Sequence, residues 1–165
     1  MEAQIALKET KTNEARPEVV AARTHLEQVA SRLTSGENLA TIFRIEEQTL
    51  LAMEAQAYEL YRKGQFEKAH IAALGLLALD NERLISHVIA GDIALSEFRF
   101  QDAIDHFQVA SRLAPQEWGI RGRLGEALAK KGAREEARHH LQAVLASGEV
   151  ERALEKRAQA FLDAL

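Results

Sequence analysis

The sequence predicts an all-α chain whose middle is an array of three similar helical pairs, and three observations predict it. Proline occurs only twice in 165 residues, while Ala, Leu, Glu and Arg, good helix formers, are abundant. In both flanks the apolar residues recur at helical spacing. The chain also repeats itself with a period of 34 residues. From Leu50 the windows read "LLAMEAQAYELYRKGQFEKAHIAALGLLALDNER", "LISHVIAGDIALSEFRFQDAIDHFQVASRLAPQE" and "WGIRGRLGEALAKKGAREEARHHLQAVLASGEVE".

Within these windows small residues fall in register. Ala69, Ala103 and Ala137 share one slot, and Ala57, Gly91 and Gly125 share another. Two antiparallel helices cross where these slots meet, and a side chain larger than methyl would hold them apart. Ala103-x-x-x-Phe107 followed by Pro115 completes the tetratricopeptide pattern in the second window. The first window has Ala73 for the aromatic and Asn81 for the proline, and the third has Leu141 and Glu149. Degenerate outer repeats suit an array whose ends are capped. Phe66 and Phe100 are expected to plug the turns from the core side. The predicted fold is therefore all-α, with three tandem tetratricopeptide repeats in a right-handed superhelix, an N-terminal helical segment and a C-terminal capping helix.

The elements follow in order. Residues 1–15 show no periodicity and are expected to be disordered. Residues 16–49 form an N-terminal helical segment: Pro17 suits the first turn of a helix to about Leu33, with Val20, Leu26, Val29 and Leu33 on one side. Ser35-Gly36 stops it, and Leu39, Ile42, Phe43 and Ile45 lead into the repeats at 50–151. Residues 152–165 are the capping helix, with Leu154, Ala158, Phe161, Leu162 and Leu165 at helical spacing to cover the last repeat.

Composition excludes several functions. The chain has no cysteine, hence no disulfide framework and no thiolate metal site, which suits a reducing compartment. Its beginning, "MEAQIALKETKTNEARPEVV", has no apolar core and is not expected to be a signal peptide. No run reaches the length of a membrane span. A formal net charge of −4 without a basic cluster argues against nucleic acid.

"SGENLATIFRI" leading into "AYELYRKGQFEKA", followed by repeats and closed by "VERALEKRAQAFLDAL", resembles the class II chaperones of bacterial type III secretion. The resemblance spans about 36–165. The family's first repeat usually carries an aromatic in its second helix, where this chain reads "HIAALGLL". The resemblance implies a non-catalytic cytoplasmic chaperone that holds an extended, proline-containing segment of a hydrophobic translocator protein in its concave face, keeping a membrane-active client soluble before export. It also implies homodimerisation through residues 17–45. A scaffold joining folded partners and a needle-subunit chaperone are the alternatives.

In such an array the concave face is carried by the first helix of each pair. The register places there Leu51, Glu54, Tyr58, Tyr61 and Arg62, then Ile85, Val88, Asp92, Leu95 and Ser96, then Gly119, Gly122, Glu126, Ala129 and Lys130. The face is expected to be apolar over its first two thirds and polar, with small residues, over the last. Tyrosine offers a flat ring and a hydroxyl to a peptide. Tyr58 and Tyr61 could instead pack on the segment around Phe43, and Ile85, Val88 and Leu95 could belong to the core between repeats. Asp92 could pair with Arg62 or hold a client amide. Phe98 stands where the other repeats have glycine and reads as a contact or as a turn plug.

Tetratricopeptide clamps for the C-terminal carboxylate of Hsp70 or Hsp90 want lysine and asparagine where this chain has Glu54, Tyr58 and Ile89, so that role is not expected. No catalytic constellation, cofactor motif or metal set emerges. The six histidines read as exposed helix residues, and His139 and His140, as sequence neighbours, diverge on a helix and cannot chelate one ion.

Overall fold

The structure is a computed structural model that describes residues 16–148 and 150–165. The expectation of disorder at 1–15 and the third-repeat position Glu149 lie outside the described residues. Among the described residues there are nine helices and no strand, so the chain is all-α. The described chain divides into two compact units, with the division between Ile45 and Glu46.

The first unit holds α1 (Pro17–Thr34) and the short α2 (Leu39–Ile42). Pro17 opens α1 with its φ preset for a helix. Gly36, at φ 93°, supplies the left-handed residue beyond its end. Arg32 fastens the end: it donates to both oxygens of Glu37, at 2.9 and 2.5 Å, and to the carbonyl of Ile42. Asn38 caps α2 by accepting from the Thr41 amide at 2.8 Å. No residue of α1 is buried, and Val19, Val20, Leu26 and Leu33 are exposed.

The second unit contains α3 (Glu47–Arg62), α4 (Phe66–Leu79), α5 (Leu84–Ser96), α6 (Phe100–Leu113), α7 (Trp118–Lys131), α8 (Arg134–Ala146) and α9 (Arg152–Asp163). They pack as pairs α3/α4, α5/α6 and α7/α8, each pair on the next, with α9 against α7 and α8. The first helix begins three residues before the window start at Leu50, and Glu47 has a use there. It accepts from both terminal nitrogens of the buried Arg83 at 2.8 and 2.5 Å, while Arg83 Nε donates to Asp80.

Packing explains the period. Ala57, Ala69, Ala103 and Ala137 are all fully buried. A Cβ on Gly91 would lie 2.7 Å from the Phe107 ring, and one on Gly125 would lie 2.8 Å from Leu141. The residue four after each register alanine is thus a knob, and the glycine of the partner helix is its hole. In the first repeat the knob shrinks to Ala73 and the hole fills to Ala57, both fully buried. Both kinds of pair close the crossing without a gap at the surface, the first with two methyl groups and the others with one large side chain on a glycine.

One turn residue differs from expectation. Phe66, the first residue of α4, is 49 % exposed and tilts against Tyr61 rather than plugging the core. Phe100 is half-buried against the central core. Phe98 has φ 62° and is 77 % exposed, in the slot that holds Gly64 at φ 72° and Gly132 at φ 88°. It meets only the edge of Phe100 among the aromatic rings. A side chain in the left-handed region is strained against its own backbone. Phe98→Gly is therefore expected to stabilise the chain by about 1 kcal/mol, read as a higher urea midpoint. A lower midpoint would mean that the ring contributes more than its exposure shows.

The histidines are not all exposed. His87 is buried and its Nε2 lies 2.9 Å from the Asn81 carbonyl, so that nitrogen donates. Its Nδ1 is then the acceptor for the Nδ1–H of His106 at 3.0 Å. Burial, followed by the neighbouring His87, pushes His106 below the ordinary histidine value, and burial does the same to His140. A histidine with a depressed folded value binds fewer protons than the unfolded chain. Stability is thus full above the ordinary value of about 6.5 and declines as pH falls below it. His106→Gln, which can still donate to His87, should reduce the loss of melting temperature between neutral and mildly acid pH. An unchanged loss would place the titration elsewhere.

Candidate functional site

The first helices α3, α5 and α7 carry the candidate groove, and the structure distributes its residues over three environments. Leu51, Tyr58 and Ile85 are exposed, at 51, 45 and 41 %. Val88 is half-buried. Leu95 is 8 % exposed and belongs to the central core with Ala103, Phe107 and Leu124. Gly122 is also buried, and a Cβ there would meet Leu154 of the last helix at 2.8 Å. Of the two readings open for Leu95, groove or core between repeats, its side chain joins the core between helix pairs and also lines the pocket at the groove floor.

Polar residues form a ladder across the repeats. Tyr61 donates its hydroxyl to Asp92 Oδ2 at 2.9 Å, and Arg123 donates to the same oxygen at 2.5 Å. Arg157 of α9 donates to Glu126 Oε2 at 2.5 Å, and Lys130 reaches Glu126 Oε1 at 3.1 Å. Glu54, buried at 8 %, accepts from the Ser86 hydroxyl at 3.4 Å. Arg62 does not pair with Asp92: it points to Glu59 on its own helix, 3.8 Å away. A residue adjacent to Tyr61 projects about 100° away around the helix, which takes Arg62 off the Asp92 line.

Arg123 and Arg157 are the members that the sequence reading missed, and a signal for them exists. Tyr61 to Asp92, Asp92 to Arg123 and Glu126 to Arg157 are each separated by 31 residues. That is one repeat less about one helical turn, the offset that lets neighbouring first helices meet side by side. Searching for opposite charges at that offset, rather than at the repeat period, finds them.

Electrostatics at the ladder are dominated by burial. Burial pushes the Asp92 carboxyl above the usual range despite Arg123 and the Tyr61 hydroxyl. Burial, then the Asp92 charge and hydrogen bond, pushes Tyr61 up to about 12. A pocket of about 290 Å³ gathers Tyr61, Asp92, Leu95, Arg123, Glu126 and Lys130, with Arg157 beside them. Among the described residues no cluster of metal-ligating side chains occurs. Also among them, no helix is long and apolar enough to cross a membrane.

Comparison with known proteins fits this architecture. A tetratricopeptide-repeat family model matches residues 94–160. No curated protein sequence matches the chain. A type III secretion complex from Aeromonas hydrophila superposes with a TM-score of 0.70 at 23 % identity, covering 84 % of this chain and 94 % of that one. The Yersinia enterocolitica chaperone SycD, solved with a peptide of the translocator YopD, gives 0.65 at 22 %, covering 73 and 94 %. The first tetratricopeptide domain of Spaghetti (RPAP3), bound to an Hsp90 peptide, gives 0.64 at 15 %, covering 73 and 95 %. The chain has the tetratricopeptide fold, and in fold it resembles the translocator chaperones of type III secretion.

Proposed function

We propose that this chain is a non-catalytic chaperone of type III secretion that shelters an extended apolar segment of a secreted translocator protein on the face of α3, α5 and α7. The observation that supports it most is the run of exposed apolar side chains there, Leu51, Tyr58 and Ile85, beside the hydrogen-bonding ladder at Tyr61 and Asp92. An extended peptide needs both: apolar contact for alternate side chains and polar partners for its backbone. The likeness to SycD with a translocator peptide supports the class of partner. Such a client exposes apolar surface that aggregates or enters membranes unless covered. A bacterial cytoplasm is the compartment this role requires.

The Hsp90-type alternative lacks its chemistry. Glu54, Tyr58 and Ile89 occupy the positions where a carboxylate clamp wants lysine and asparagine, and Ile89 is buried at 1 %. A scaffold would instead use second helices, where Ile71 and Leu74 of α4 are exposed. The exposed Val20, Leu26 and Leu33 of α1 support a role for residues 17–45 in homodimerisation.

Co-expression with an apolar, membrane-active protein encoded beside this chain tests the proposal. A soluble complex is expected, lost in Tyr58→Glu and Ile85→Glu but kept in Ile71→Glu. A partner that is soluble alone, or a complex that depends on Ile71 only, would overturn it in favour of the scaffold.

A further inference from the structure

Beyond the ladder, α7 and α9 enclose a second and larger pocket of about 490 Å³, inside the size range of ligand sites, about 300–1,000 Å³. Its walls include Trp118, Val150, Leu154 and Phe161, all half-buried, so apolar surface faces the opening. Gly119 lies at the mouth, where an added Cβ would meet nothing within 4 Å. Arg123, Glu126 and Arg157 line this pocket and the smaller one alike, so the two adjoin.

Charge at that junction is asymmetric. In the smaller pocket three cations, Arg123, Lys130 and Arg157, stand against two carboxylates, Asp92 and Glu126. Arg157 keeps 59 % of its side chain exposed and gives one hydrogen bond, to Glu126, although a guanidinium carries five donors. The far end of the larger pocket is bordered by Glu117 and Glu151 instead. An incoming chain therefore meets positive charge on the groove side of the pocket and negative charge beyond it.

We infer that the pocket between α7 and α9 is a separate peptide subsite, taking an aliphatic side chain of the bound segment with a carboxylate one or two residues away on the Arg157 side. The inference rests on the reading of the groove as a peptide site and adds a specificity to it. An extended chain advances about 3.3 Å per residue and returns to the same face every second residue, which sets the short spacing between anchor and acid. Paired donors of arginine favour a carboxylate over an amide of the same shape.

Trp118 is the only tryptophan of the chain, so its emission reports on this pocket. The probe is a capped synthetic peptide of glycine and serine carrying one leucine and, two residues on, one glutamate. Two control peptides replace the glutamate by glutamine or the leucine by serine. A saturable Trp118 shift is expected with the first peptide, about tenfold weaker binding with the glutamine control, and none with the serine control. Arg157→Gln should bind the glutamate and glutamine peptides alike, and Gly119→Leu should block the pocket while the melting curve stays intact. No shift at millimolar peptide, equal binding of glutamate and glutamine peptides to the unmodified chain, or binding that ignores Gly119→Leu would each overturn the subsite. If the co-expressed partner still binds in a Tyr58-dependent way in that case, the groove reading survives and only the subsite falls.

Discussion

Phe107→Ala is expected to lower stability by about 3–5 kcal/mol, seen as a drop in the urea midpoint. Phe107 is fully buried and heads the set of largest fully buried side chains. Its ring sits over Gly91, so no neighbouring side chain on that spot can swing in to refill the space. The cost should approach the upper part of the range for this reason, because a cavity that cannot collapse is the expensive kind. Gly91→Ala should destabilise too, since its Cβ would enter the ring at 2.7 Å. Combined, the two substitutions should cost clearly less than their sum, because together they recreate the Ala57 and Ala73 arrangement of the first repeat. Strict additivity would mean that the knob and the hole are not coupled.

Leu95→Glu carries the second large effect. The side chain packs in the central core at 8 % exposure, and the nearest ladder members already include two carboxylates, Asp92 and Glu126. A carboxylate there is taken out of water among Ala103, Phe107 and Leu124, a change expected to cost roughly 4 kcal/mol or more. Circular dichroism should show a largely unfolded or strongly destabilised chain. Tyr58→Glu, at a residue 45 % exposed, should stay within about 0.5 kcal/mol of the parent. Were Leu95→Glu to melt like the parent, the core boundary drawn here would be misplaced.

These two residues show how far the sequence could be read. The repeat period was legible because Ala103, Gly91 and Phe107 are fixed by one close crossing, which leaves small residues at constant spacing. The groove was legible only by register, and register alone cannot tell Leu95 from Ile85. Both sit on the first helix of the second repeat, yet one faces the next helix pair and the other faces outward. That difference depends on how neighbouring pairs are offset. The same offset hid Arg123 and Arg157, whose partners lie 31 residues away in sequence. His87 was misread because burial of a polar ring depends on tertiary partners, here the Asn81 carbonyl and His106, and neither leaves a local signal. Phe98 is visible in the sequence as an irregularity in a glycine slot, and its backbone keeps the left-handed conformation of that slot at φ 62°.

The most direct test of the central claim is a titration of the apolar segment of the co-expressed partner, as a synthetic peptide, into the purified chain by calorimetry. Tyr58→Glu, Ile85→Glu and Ile71→Glu would be compared at equal fold integrity. The account predicts at least tenfold weaker binding for the first two, about 1.4 kcal/mol or more, and no change for Ile71→Glu on the second helix α4. Equal affinity across all three, or a loss confined to Ile71→Glu, would contradict a client held on the face of the first helices.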